Sequence, residues 1–202
     1  MTRRPLAAIL LATSVFGTPS LAVPAGVDPA AIQVEGLDHA LLESMRAGTA
    51  MNSSDRYQML APTIERTFDL PAMTAFAVGA VWSTFTPAQQ KATIVAFSRL
   101  TISSYTHNFR TFAGERFEVD PAVVARGSDR IVQTHLLLPH DAPVSLVYRM
   151  RESGGAWKII DVYYGAISQL TMRRSDFAAS LATGGSDSLI AHLNLLSDDL
   201  LK

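Results

Sequence analysis

The sequence predicts an α+β fold, and three observations carry that reading. Apolar residues recur at helical spacing from Asp28 to about Phe112. From Gly114 to Tyr164 the pattern changes to short β-branched and aromatic runs separated by Gly, Pro and Asp turn signals. Helical spacing then returns to the C-terminus. Helices followed by a run of strands and a closing helix form an α+β layout, and 202 residues suffice for one domain with a sizeable core.

The N-terminus reads as a secretory signal over residues 1–22, with a single domain over 23–202. Arg3-Arg4 make a basic start, Leu6 to Phe16 an apolar stretch, and Ser20-Leu21-Ala22 a small-residue cleavage site. That stretch is short of the ~20 apolar residues that span a bilayer. The whole chain has 17 basic and 18 acidic residues. Removing Arg3 and Arg4 leaves 15 against 18, a charge of −3. This argues against nucleic acid as a partner and against a polybasic grip on anionic membranes. The absence of cysteine excludes zinc–thiolate sites and thiol nucleophiles.

Asp28-Pro29 starts the first helix, whose stripe is Ile32, Leu37, Leu41, Leu42 and Met45 and whose stop is Gly48. Ser53 and Ser54 are positioned to cap a second, carrying Tyr57, Leu60 and Ile64, with a kink expected at Pro62. Pro71 starts a third helix, to which Phe68, Met73, Phe76 and Trp82 are assigned. Thr86-Pro87-Ala88-Gln89 is a capping box opening the longest helix, to about Phe112. On its face lie Ile94, Phe97, Thr101, Tyr105, Phe109 and Phe112, a stripe aromatic enough to serve either as plain core or as a ligand-facing wall.

Four strands follow, over Phe117–Val119, Ile131–Leu138, Val144–Met150 and Trp157–Tyr164, the last three forming an antiparallel meander. The final strand is dense enough in Trp157, Ile159, Ile160, Val162, Tyr163 and Tyr164 to be covered on both faces, with Trp157 buried. Ser175 is expected to cap a helix beginning at Asp176-Phe177 and stopped by Gly184-Gly185, and Ser186 to cap the last one.

Catalytic chemistry is thinly represented. His39, His107, His135, His140 and His192 contain no pair three or four residues apart, and there is no nucleophile elbow or phosphate-cradling loop. Asp161 and His135, each in an apolar strand, are the candidate bases for an enzyme reading. Their alternative is a structural, hydrogen-bonded role. A structural adaptor whose aromatic stripe is only core is the third possibility.

Trp157-Lys158-Ile159-Ile160-Asp161-Val162, Ile167-Ser168, Arg174-Ser175-x-Phe177 and Gly184-Gly185-x-Asp187-x-Leu189-Ile190 resemble the C-terminal signature of the MlaC (toluene-tolerance) family. Upstream, Phe68-Asp69-x-x-x-Met73, Gly79-x-x-Trp82 and Thr86-Pro87-x-Gln89 continue the resemblance, which spans most of the chain from about residue 55. It implies a non-enzymatic, periplasmic lipid-carrying subunit of an ABC transport system that needs no cofactor. It also implies an NTF2-like cone, helices on a curved antiparallel sheet enclosing an apolar cavity. Gly165-Ala166-Ile167-Ser168-Gln169-Leu170 with Arg173-Arg174-Ser175-Asp176-Phe177 is similar to the hopanoid-associated HpnM branch, so the implied ligand is a hopanoid or a phospholipid. The implied partners are membrane-bound donor and acceptor complexes, with the chain itself a monomer. The residues expected to line the cavity are Phe76, Phe97, Thr101, Tyr105, Phe109, Leu136, Leu146, Tyr148, Ile159 and Tyr163, with Arg173 and Arg174 at the head group.

Overall fold

A computed structural model describes residues 27–202; the leader expected over residues 1–22 lies outside them. Helix α1 (Pro29–Ala47) starts where Asp28 accepts the Ala30 N–H at 2.8 Å, and it stops at Gly48, whose φ of 51° suits glycine. Its buried stripe is Val34, Leu37, Leu41 and Met45. Ile32 is not part of it, being 52% exposed, because two residues turn a helix by about 200° and Val34 already faces the core.

Helix α2 (Ser53–Thr67) is capped by Asn52, one residue earlier than expected, and continues through Pro62. Arg56 on α2 closes the α1–α2 hairpin. It is 2% exposed and donates to the Ser44 carbonyl, to Ser44 Oγ at 3.0 Å, and to the carbonyls of Gly48 and Met51. The Ser44 carbonyl belongs to the last turn of α1 and those of Gly48 and Met51 follow it, where helical partners run out.

Asp69 caps α3 (Leu70–Val78), and Gly79 ends it at φ 76°. Trp82 falls on the 3-10 turn that follows (Gly79–Thr84), since the left-handed glycine breaks the helix first. Helix α4 (Pro87–Asn108) opens on the complete Thr86–Gln89 capping box, with both reciprocal bonds formed. It stops at Asn108, leaving Phe112 outside, 42% exposed and under the Arg46 guanidinium.

Six antiparallel strands follow: β1 (Arg116–Val119), β2 (Val124–Arg126), β3 (Asp129–Leu137), β4 (Val144–Ser153), β5 (Ala156–Tyr164) and β6 (Ile167–Ser168). Their order is β1-β3-β4-β5-β6, with β2 also on β3. The four expected strands are all present, and β2 and β6 are additions. β2 arises because Gly127, at φ 61°, turns Val124–Arg126 back onto β3 as a tight hairpin.

Between β4 and β5 the register shifts: Arg149 faces Asp161 but Met150 faces Ile159, so β5 carries a bulge at Ile160. Trp157 is half-buried, not fully buried, and holds the Arg130 guanidinium 4.9 Å from its ring centroid. The sheet's outer-face residues, Ile131, Gln133, Val147 and Tyr163 among them, are likewise only half-buried, so β5 is not a strand covered on both sides.

Helix α5 (Gln169–Leu200) begins seven residues before the expected start, capped by Ser168, which accepts the Thr171 N–H at 3.0 Å. Ser175 lies inside the helix and bonds back to the Thr171 carbonyl. Gly184 and Gly185 leave helical geometry, so the break expected there is real, yet the helix resumes directly as a kinked continuation. A solid core joins these elements: Leu60, Ile64, Phe68, Met150, Ile159, Phe177, Leu189 and Leu193 are all buried. Phe68 ties helix to sheet through the Asp69 N–H, which donates to the Ile159 carbonyl at 2.9 Å.

Arg56→Ala removes the donor to three carbonyls, the buried one of Ser44 among them, and is expected to destabilise the protein by about 3 kcal/mol, with Arg56→Lys recovering only part. Urea denaturation reads this, and an unchanged midpoint would mean the α1–α2 closure contributes nothing.

Candidate functional site

Above the solid core the helices and the sheet separate, leaving an open cavity of about 410 Å³. That is within the range of small-molecule sites. Helix α4 forms one wall with Phe97, Leu100, Thr101, Ser104, Tyr105 and Asn108, continued by its C-cap residue Phe109. These are one helical face, because three- and four-residue steps keep side chains in line. The sheet forms the opposite wall with Leu136, Val144, Leu146, Tyr148, Val162 and Tyr164. Gln169, Leu170 and Arg173 of α5 border it, and Phe68 and Met73 complete it. Tyr105 stacks on Phe109 (5.6 Å, 16° between planes) and meets the Phe68 edge at 5.5 Å, giving a rigid aromatic panel.

Of the residues expected here, Phe97, Thr101, Tyr105, Phe109, Leu136, Leu146, Tyr148 and Arg173 meet at the cavity. Four do not. Phe76 is 47% exposed on α3, with the Arg174 guanidinium 5.5 Å from its ring centroid, so these two form an exterior pair away from the cavity. Ile159 is fully buried in the core beneath, against Phe68. Tyr163 sits one residue out of phase, its neighbours Val162 and Tyr164 taking the inward positions. Ser104 and Asn108 also line the cavity on the α4 face, and being polar they do not stand out in its apolar stripe.

Neither candidate base faces the cavity. Asp161 accepts from the Val162 N–H (2.8 Å), Ser168 Oγ (2.8 Å) and the Leu170 N–H (3.2 Å), so its carboxylate is spent on holding the β5–α5 connection. His135 projects from the outer face of β3 beside Gln133. Among the described residues, no cluster of three His, Asp or Glu side chains could hold a metal.

Two ionisable groups do belong to the site. Arg173 reaches into the mouth, with Nη2 3.4 Å from Ser104 Oγ. Burial pulls its guanidinium below the usual arginine range, with Asp176 partly offsetting this. Behind the tyrosine wall, Asp38 of α1 is 4% exposed and neither carboxylate oxygen has a hydrogen-bond partner. Burial, and secondarily the charge of Glu35, raise its pKa to about 8. Burial and the nearby Asp38 charge also raise Tyr105, so the wall is uncharged at neutral pH.

The MlaC protein family matches residues 37–195, most of the chain. This chain belongs to the MlaC family. Members of the MlaC family are non-catalytic lipid-binding proteins. Its fold is similar to that of a phospholipid-binding protein from Ralstonia solanacearum, solved at 1.53 Å in complex with a phospholipid. The TM-score is 0.74 at 23% identity, covering 86% of this chain and 99% of that one. Among the described residues, no helix is long and apolar enough to cross a membrane.

The raised carboxyl makes stability fall with pH. Between the ordinary value of 3.8 and about 8 the unfolded chain has released the Asp38 proton and the folded one has not. Unfolding is therefore favoured by up to ~1.4 kcal/mol per pH unit across that window and changes no further above it. Asp38→Asn is expected to flatten this slope between pH 4 and 8 in thermal melts. Identical slopes in both proteins would mean the carboxyl ionises freely.

Proposed function

We propose that this MlaC-family protein is a lipid shuttle, the mobile component of an ABC-type transport system between inner and outer membranes. The observation that carries it is an apolar cavity of about 410 Å³ open at one end, where its one cationic side chain, Arg173, stands. Acyl carbon needs volume and a dry wall, not directional chemistry. Each buried methylene contributes about 0.8 kcal/mol, so a sixteen-carbon chain supplies roughly 12 kcal/mol before ordering costs. Arg173, Ser104, Asn108 and Gln169 then make a polar mouth suited to a phosphate head group. The phospholipid held by the similar Ralstonia solanacearum protein supports the same ligand class here.

A hopanoid is the second reading. What favours it is the stacked, nearly parallel Tyr105–Phe109 pair, which offers a flat aromatic ring face to a rigid polycycle. In either case the leader over residues 1–22 would deliver residues 23–202 to the periplasm as a monomer, working with membrane-bound donor and acceptor complexes.

Mass spectrometry of lipid extracted from protein purified without detergent tests the function: a stoichiometric phospholipid or hopanoid is expected, and an empty protein would overturn it. Leu146→Trp fills the cavity from β4 and should yield a folded protein that carries no lipid. If it retains lipid, the cargo lies elsewhere. Arg173→Met should keep acyl binding but lower the preference for anionic over neutral lipid several-fold in a vesicle-extraction assay. An unchanged preference would remove Arg173 from the head-group site.

A further inference from the structure

The outer face of the sheet, opposite the cavity, concentrates positive charge at one end. Strand register places Arg126 of β2 opposite Asp129 of β3, Asp129 opposite Arg151 of β4, and Arg151 opposite Lys158 of β5. Arg149 stands one pleat along β4 from Arg151, so all four cations project on the face that carries Asp129. Asp129 is 3% exposed and is held by both β4 arginines: Arg149 Nε at 2.6 Å, and Arg151 Nε and Nη2 at 2.6 and 3.0 Å.

One carboxylate therefore serves two guanidiniums, and each arginine side chain remains more than 40% exposed. Lys158 and Arg126 form no ion pair among the described residues. No carboxylate lies outside those residues to supply one, since residues 1–26 contain neither Asp nor Glu. Asp161, opposite Arg149, is turned away to Ser168 and Leu170.

Arg151 directly opposite Lys158 is a like-charge pair across strands, an arrangement that costs stability. A cluster of four cations around one acid stands on a chain whose residues 27–202 hold 15 basic and 18 acidic side chains. Beside it the same face offers Val124, 56% exposed, and the half-buried Ile131 and Val147. Unneutralised charge bordering apolar surface is the composition of a steered protein-docking patch.

We propose that this end of the outer sheet face docks an acidic segment of a partner protein. The surface is separate from the cavity mouth, so it can be engaged whatever the cavity holds. Fluorescein-labelled hexaglutamate is the probe, its anisotropy followed with the full chain at low and high salt. Salt-sensitive binding is expected, weakened at least about tenfold in the Arg126→Glu/Lys158→Glu variant, which leaves the Asp129 arginines in place. Lys91→Glu, an exposed cation on α4, should bind like the parent. No binding at low salt, or an equal loss in Lys91→Glu, would overturn the proposal. So would binding to phosphatidylglycerol vesicles through the same residues without binding to hexaglutamate, which would assign the face to a membrane. Extracted lipid measured on the same preparations should match the parent, keeping this test distinct from that of the cavity.

Discussion

The bulge at Ile160 and the Asp161 carboxylate beside it set the arrangement of the rest. Without the extra residue, period-two alternation from Trp157 and Ile159 would turn Tyr163 inward and Val162 and Tyr164 outward. With it, Val162 and Tyr164 join Tyr148 and Leu146 on the cavity wall. Asp161 then binds the Ser168 hydroxyl and the Leu170 N–H, clamping the turn from β5 into α5. That clamp brings Gln169, Leu170 and Arg173 to the mouth. One irregularity thus decides both the lining of the sheet wall and the chemistry of the rim.

Stability and binding are divided between two levels of the same layer. Phe68, Met150, Ile159, Phe177 and Leu189 form a solid core in which fully buried side chains touch on all sides. Above it Tyr105 and Phe109 brace one another, so α4 and the sheet stay apart instead of collapsing together. A close-packed interior has few voids larger than a water molecule, so a cavity this size reduces packing that the lower core must offset. The 3% exposed Phe97 ring, edge-on to Phe177, joins the two levels.

Charge follows a similar division. Arg56 is buried but fully engaged with backbone carbonyls, Asp129 is shared by two arginines, and Asp161 is bound on both oxygens. Among the described buried Asp and Arg side chains, Asp38 alone has no hydrogen-bond partner, and it answers by keeping its proton. A neutral carboxyl behind a tyrosine wall leaves the cavity compatible with apolar cargo.

Local chemistry explains what was legible in the sequence. The Thr86–Gln89 box, Asp28-Pro29, Pro71 and the left-handed glycines at 48 and 79 determined where α1, α3 and α4 begin or end, because caps and positive φ act within one turn. The α4 stripe was visible for the same reason and supplied Phe97, Thr101, Tyr105 and Phe109 to the site. Tertiary structure decided the rest. The bulge that rotates β5 depends on pairing with β4, so nothing in Trp157–Tyr164 announces it and simple alternation points to Tyr163 in place of its neighbours. Ser168 won over Ser175 as the α5 cap because Asp161, seven residues upstream, holds it in place. Phe76 meets Arg174 on the exterior and does not line the cavity, since α3 turns that face to solvent. Nothing in the sequence marks Asp38, because only the packing of α1 against the sheet buries its carboxyl without a hydrogen-bond partner.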